Sequence, residues 1–169
     1  MAGDSAVAYL AMPRSYETLT LEDAKRKLAA AEAKAASIGQ PYNIAVVNAA
    51  GHLLAFVRQD GTLIGSIDLA IDKAMTARLF DRSTAELAKL SQPGEPLFGI
   101  DHAGKVVVFG GGIPIMIDGR IIGAVGTSAG TVEQDIAVAE AALAALSPEC
   151  DTRRSGARRS GQRPERTHR

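Results

Sequence analysis

The sequence predicts an α+β protein with one antiparallel sheet of about five strands and helices packed against it. Two observations indicate this class. Short links rich in turn residues join neighbouring apolar runs, which is typical of hairpins and therefore of antiparallel pairing. The helical patterns interrupt the strands in blocks, so the predicted order is α-β-β-α-(α)-β-β-β-α. With 169 residues, the chain is long enough for a single domain with its own core.

The first helix is predicted to begin at a capping residue, Thr20, because Asp23 stands three positions further on. Apolar residues, many of them alanines, then recur at helical spacing until Gly39 provides a stop signal. Whatever packs on this alanine-rich face must therefore approach closely.

Two apolar runs, residues 42–48 and 53–58, flank a turn signal and together predict a hairpin. The next helix is predicted over residues 67–80, with Ser66 as its cap, and a short helix is predicted over 84–90.

Three further strands are predicted over residues 106–109, 113–117 and 120–127. An Asp-Gly turn signal separates the last two, and a run of three glycines before the second predicts a tight turn without Cβ atoms. The final helix is predicted over 131–146.

The charge balance of 19 basic and 19 acidic residues hides an asymmetry. Residues 149–169 contain seven arginines and three acidic residues, so the remainder has a net charge of −4. Because this tail lacks large apolar residues from position 152 onward, it is predicted to be disordered. It either contacts nucleic acid or an anionic membrane weakly, or is an appendage without function. We expect an N-terminal extension over 1–17 and one domain over 18–148.

Composition excludes several classes of protein. Cys150 is the only cysteine, so neither an intrachain disulfide nor a thiolate metal cluster is expected. The chain has no tryptophan and 4 % aromatic residues, which argues against a base-stacking nucleic-acid platform. No apolar run approaches the length of a membrane span, and the first residues lack the basic start of a signal peptide. The expected location is therefore the cytoplasm.

The most informative stretch is GAVGTSAGTVEQD, residues 123–135. Small residues, among them Ser128 and Gly130, precede a helix for which Thr131 and Gln134 have capping-box spacing. The first turn of a helix presents unpaired N–H groups and a partial positive charge, which can hold a carboxylate, a phosphate or another anion. The same small residues also build an ordinary strand-to-helix corner. Both interpretations stay open at this point.

Five other side chains are candidates for chemistry. Lys73 lies beside an alanine stripe, where it could neutralise an anionic ligand at a pocket wall. Asp68 and Asp135 are candidate acid–base residues for an organic-acid substrate. His52 in a turn and His102 in a loop are candidate haem or metal ligands, or simply solvated side chains. No pair of histidines has the helical spacing of a metal site, so no metal is predicted.

Four blocks of the sequence resemble the GlcG/HbpS family, which includes the C-terminal domain of PduO-type adenosyltransferases. They cover most of residues 18–146 and read LTLEDAKRKL (19–28), NIAVVNAAGHLLAFVRQDG (43–61), GSIDLAIDKAMTARLF (65–80) and GGGIPIMIDGRIIGAVGTSAGTVEQD (110–135). The resemblance departs from the family pattern at two positions. Ala129 stands where the family usually has glycine, and Gly110 stands where it commonly has proline.

The resemblance implies a profilin-like fold and a homo-oligomer built from dimers, as a hexamer or octamer. It also implies a small ligand, which is haem in some members, with Thr131 suited to a haem propionate. The alternative is a small-molecule enzyme or accessory protein of a catabolic or biosynthetic pathway, acting on a small organic acid or reactive intermediate. Lys73 and Thr131 would then hold the carboxylate. A third alternative is an oligomeric structural module without a ligand.

Overall fold

The computed structural model describes residues 17–145; residues 1–16 and 146–169 lie outside that range, and with them the predicted tail over 149–169 and all but the last residue of the predicted extension over 1–17. The described part contains helices and strands in the order α1 (Leu21–Ile38), β1 (Asn43–Asn48), β2 (Leu53–Arg58), α2 (Ser66–Leu79), α3 (Thr84–Leu90), β3 (Gly112–Ile117), β4 (Arg120–Ser128) and α4 (Val132–Ala144). A short 3-10 turn, Ile100–His102, lies between α3 and β3. The predicted α+β class is confirmed.

The strands form one sheet in the order β2-β1-β4-β3, and every neighbouring pair is antiparallel. The described part of the chain therefore has four strands in the sheet, and the prediction of a fifth over residues 106–109 is wrong. This apolar segment attaches to α2 instead: the Val107 N–H donates to Thr76 Oγ1, and that hydroxyl donates to the Lys105 carbonyl. A side-chain hydroxyl thus replaces the strand partner that the apolar pattern suggested.

Helices cover both faces of the sheet. Helices α1 and α4 pack on one face, where the larger of two apolar clusters includes Tyr42, Ile44 and Val125. Helix α2 packs on the other face through alanines. Close approach is possible here because β4 offers Gly126, where a Cβ atom would lie only 2.5 Å from the Ala74 nitrogen. Small residues on both sides bring α2 almost onto the sheet backbone.

The capping predictions are confirmed at two helices and wrong at a third. Thr20 with Asp23, and Thr131 with Gln134, both form the predicted capping boxes. Ser66, however, is the first residue of α2, and the N-cap residue Gly65 makes no side-chain capping hydrogen bond. Within residues 17–145, no helix has the length and apolarity needed to cross a membrane.

Candidate functional site

A buried ion pair joins α2 to the start of α4. The fully buried Lys73 directs its Nζ to Asp135 Oδ2, 2.5 Å away, and also donates to the Thr127 carbonyl at 3.1 Å. The sequence indicated both residues as candidates, and the structure brings them together. Asp68, the third catalytic candidate, is exposed and makes no ion pair within the described residues.

Burial and pairing act in opposite directions on the lysine. Burial lowers the pKa of Lys73, whereas the hydrogen bond and charge of Asp135 raise it. The Phe109 ring adds a cation–π contact, with its centroid 4.4 Å from Nζ. Removing two charges from water is costly unless their remaining hydrogen-bonding groups are also satisfied, and here they largely are.

The second oxygen of Asp135 binds backbone amides just ahead of α4, next to the helix start where the sequence suggested an anion site. Oδ1 accepts the N–H groups of Gly130 at 3.0 Å and Ala129 at 3.3 Å. The Thr131 N–H donates to Gln134 Oε1. The premise that these amides are free for a ligand is therefore wrong, because the chain supplies its own carboxylate. The geometry is that of a strand-to-helix corner, and a binding role for Thr131 or Gly130 remains a prediction.

The predicted glycine turn covers this ion pair. Gly111 has a φ of +116°, which disfavours L side chains. A Cβ atom there would lie 2.9 Å from Lys73 Nζ and 3.0 Å from the Asp135 Cβ. The turn thus lets the backbone pass close to the buried charges. The sequence predicted the turn but gave no signal for what it passes.

Sequence reasoning missed one polar group beside the pair, the hydroxyl of Tyr42. It is buried close to Gly130 and makes no hydrogen bond within residues 17–145. Burial, and secondarily the negative charge of Asp135, raise the pKa of Tyr42. An apolar strand pattern gives no sign that a tyrosine hydroxyl will lie beside a carboxylate far along the chain.

A family model described as "Haem degrading protein HbpS-like" matches residues 19–144. The chain belongs to this HbpS-like family.

Relatives of known sequence and structure agree with that membership. This HbpS-like chain is 42 % identical over 128 residues to an uncharacterized 15.0 kDa protein of the dhaT-dhaS intergenic region of Citrobacter freundii, covering 75 % of this chain and 90 % of that protein. It superposes on the Klebsiella pneumoniae protein ORFY with a TM-score of 0.77 and 34 % identity, over 85 % of this chain and 97 % of that one. The crystal structure of a PduOC:heme complex matches with a TM-score of 0.74 and 37 % identity, over 76 % of this chain and 95 % of that one.

The two candidate histidines of this HbpS-like chain lie on its surface, and neither contacts the Lys73–Asp135 pair. His52 is exposed in the turn between β1 and β2, and its backbone N–H donates to Asn48 Oδ1. His102 has an 85 % exposed side chain, with Nδ1 3.3 Å from Asp101 Oδ1. Among the described residues, no group of three or more His, Cys, Asp or Glu residues is arranged to hold a metal ion.

Proposed function

We propose that this HbpS-like chain is a small-ligand-binding protein whose ligand is haem. The observation that carries the proposal is its likeness to the haem-bound PduOC structure, which extends over nearly all of that chain. The family description, which refers to haem degradation, supports the same ligand class.

The surface of the chain offers groups that fit a haem. Such a site needs an iron ligand, an apolar surface for the ring and, in many sites, a cation for the propionates. His52 precedes the exposed Leu53, and the exposed Leu79 packs near Gly51 in the same turn. His102 stands in a loop that also carries the exposed Phe98 and Lys105.

Either histidine would therefore hold the iron through an imidazole nitrogen beside exposed apolar carbon. When bound, haem would supply an iron centre capable of redox chemistry. The chain itself would contribute an imidazole nitrogen to hold the iron and a surface that shields part of the ring from water.

Haemin titration of the full chain tests this proposal. We expect a saturable shift of the Soret band at stoichiometric haem, and loss of that shift in either His52→Ala or His102→Ala. Thr131→Val tests the propionate role that the sequence suggested. A titration without saturation would overturn haem binding, whereas an unchanged spectrum in all three variants would overturn only the assigned ligands.

The enzymatic alternative receives less support from the geometry. Lys73 and Asp135, two of its three candidate catalytic residues, are buried and bonded to each other. A general acid or base must reach the proton that it transfers, and neither group faces solvent. The observed arrangement favours a structural role for this pair and a binding function for the protein.

We further propose a cytoplasmic homo-oligomer built from dimers, as a hexamer or octamer. Strand β2 has five consecutive apolar residues but none that is buried. Two more apolar side chains, Leu63 and Ile64, are exposed in the loop that follows. Contact with further copies would remove such surface from water. Light scattering at micromolar concentration tests this proposal, and a monomer would contradict it.

A further inference from the structure

A row of polar residues crosses three strands on the face of the sheet that α2 covers. The β1–β2 register places Asn43 opposite Arg58, and the β1–β4 register places Asn43 opposite Ser128. Directly opposed residues of antiparallel strands share a face, with Cβ atoms about 5 Å apart. Asn43 Nδ2 donates to the Leu63 carbonyl at 3.1 Å, which sets this row beside the loop that enters α2.

Several groups in this row lack protein partners. Asn43 is fully buried, and its donors to Leu63 and Thr62 fix the amide so that Oδ1 is left without a hydrogen bond within residues 17–145. A buried acceptor without a partner is costly, so Oδ1 calls for a donor from outside the protein. Arg58 is exposed and forms no ion pair in the described part of the chain.

The start of α2 completes the arrangement. Ser66 begins the helix, and its N-cap residue provides no capping side chain. The hydroxyls of Ser66 and Ser128 make no hydrogen bond with another described residue, and the two residues are 6 % and 3 % exposed. The first turn of a helix carries a partial positive charge, which adds to that of Arg58. Asp68, the acidic residue of this turn, is exposed.

We propose that this polar cluster, consisting of Arg58, Asn43, Ser128 and Ser66, binds a small carboxylate that carries a hydroxyl or amide hydrogen beside the carboxyl group. Arg58 and the two serine hydroxyls donate to the carboxylate. The ligand's own donor satisfies Asn43 Oδ1. The proposal does not rest on haem binding, because it uses neither of the histidines proposed to hold the iron.

Lactate and propionate form the matched probe pair, since they differ only in the hydroxyl group. Calorimetric titration of the full chain is expected to show saturable lactate binding, with propionate at least about tenfold weaker because Asn43 Oδ1 stays unpaired. Equal affinities, or no saturation by lactate, overturn the proposal.

Haem propionates are also carboxylates, so the lactate titration is repeated with haemin-saturated protein. An unchanged lactate affinity supports a separate site, and displacement of lactate by haemin overturns it. If haemin does not bind at all, the lactate result with the protein alone still decides this proposal, so the two proposals fail separately.

Variants of the cluster locate the site. Ser128→Ala and Arg58→Gln are each expected to weaken lactate binding about three- to tenfold, the effect of one lost hydrogen bond. Ser91→Ala and Arg120→Gln are matched controls at positions away from the cluster and should leave binding unchanged. Asn43→Asp should abolish binding by repulsion; where it fails to fold, the other two cluster variants decide. Equal weakening in cluster and control variants overturns the assignment.

Discussion

Asp135 uses both carboxylate oxygens within the protein, and Lys73 is the partner of one of them. Oδ2 pairs with Lys73 from α2, while Oδ1 accepts the amides of Gly130 and Ala129 at the end of β4. A single side chain thus fixes the position of α2 relative to the β4–α4 corner. The same carboxylate thus occupies the amides of Gly130 and Ala129, just ahead of α4, so these two groups are not available to an external anion.

Lys73→Met is expected to destabilise the protein by about 3–5 kcal/mol, because it leaves the Asp135 carboxylate buried without its counter-charge. Urea unfolding followed by circular dichroism measures the loss. The double variant Lys73→Met/Asp135→Asn is the control, since an asparagine oxygen can still accept the Gly130 amide without a charge. We expect the double variant to recover at least half of the loss. A single variant of near-native stability would show that the pair contributes little.

Gly111→Ala is expected to cost more stability than Gly104→Ala, although both glycines have positive φ. At Gly104 a Cβ atom would meet nothing within 4 Å, so the cost there is backbone strain of about 1–2 kcal/mol. At Gly111 the added atom would also crowd Lys73 Nζ and the Thr127 carbonyl. Thermal unfolding of the two variants separates strain from crowding. Equal losses would contradict close passage of this turn over the ion pair.

Local signals explain the parts of the fold that the sequence predicted correctly. The capping boxes at Thr20 and Thr131 depend on residues only three positions apart, so their spacing was sufficient. The hairpins likewise followed from short turns between apolar runs. The predicted strand over 106–109 failed because its N–H partner is the hydroxyl of Thr76, which lies on a helix 31 residues earlier. No apolar pattern carries that information.

The candidate site also combines residues that the sequence identified with contacts that it did not reveal. Lys73 and Asp135 were each recognisable as candidates, but they are 62 residues apart in the chain, and nothing in the sequence indicated that they pair. The unpaired groups of Asn43 and Tyr42 became visible only with the packing of β1. Asn43 carries no charge, and the feature that distinguishes it is a buried oxygen without a hydrogen-bond partner within the described residues.

The alkaline stability of the protein should depend on Tyr42. The pKa of Tyr42 is raised in the folded state, because the buried hydroxyl resists ionisation. The contribution of Tyr42 to the free energy of unfolding is therefore fully present below about pH 10, the ordinary tyrosine pKa, and is lost as pH rises above that value. The pKa of Lys73 is lowered in the folded state, so its effect is the opposite one: the stability of the protein rises as pH increases towards the ordinary lysine pKa. Comparison with Tyr42→Phe isolates the tyrosine. We expect the free energy of unfolding of the variant to fall less steeply above about pH 10 than that of the wild type. Near neutral pH the two should agree within about 1 kcal/mol, since the hydroxyl has no hydrogen-bond partner to lose.

Chemical access to Lys73 should depend on the aromatic ring above it. Phe109 is 38 % exposed and its ring contacts the fully buried ammonium, so Phe109→Ala is expected to open a path to Nζ. Reductive methylation with formaldehyde, quantified by mass spectrometry of peptides, measures that access. In the wild type we expect Lys73 to react at least about tenfold more slowly than the exposed Lys105 in the same digest, because modification requires local opening.

Phe98→Ala is the matched control for that measurement, because Phe98 is an exposed phenylalanine that makes no cation–π contact with Lys73. We expect Phe109→Ala to raise the Lys73 rate and Phe98→Ala to leave it unchanged, with Lys105 constant in both variants. Equal Lys73 rates in wild type and Phe109→Ala would show that opening of the α2–α4 contact, and not displacement of the ring, limits access. The pair of variants therefore distinguishes a local cover over the lysine from protection by the whole fold.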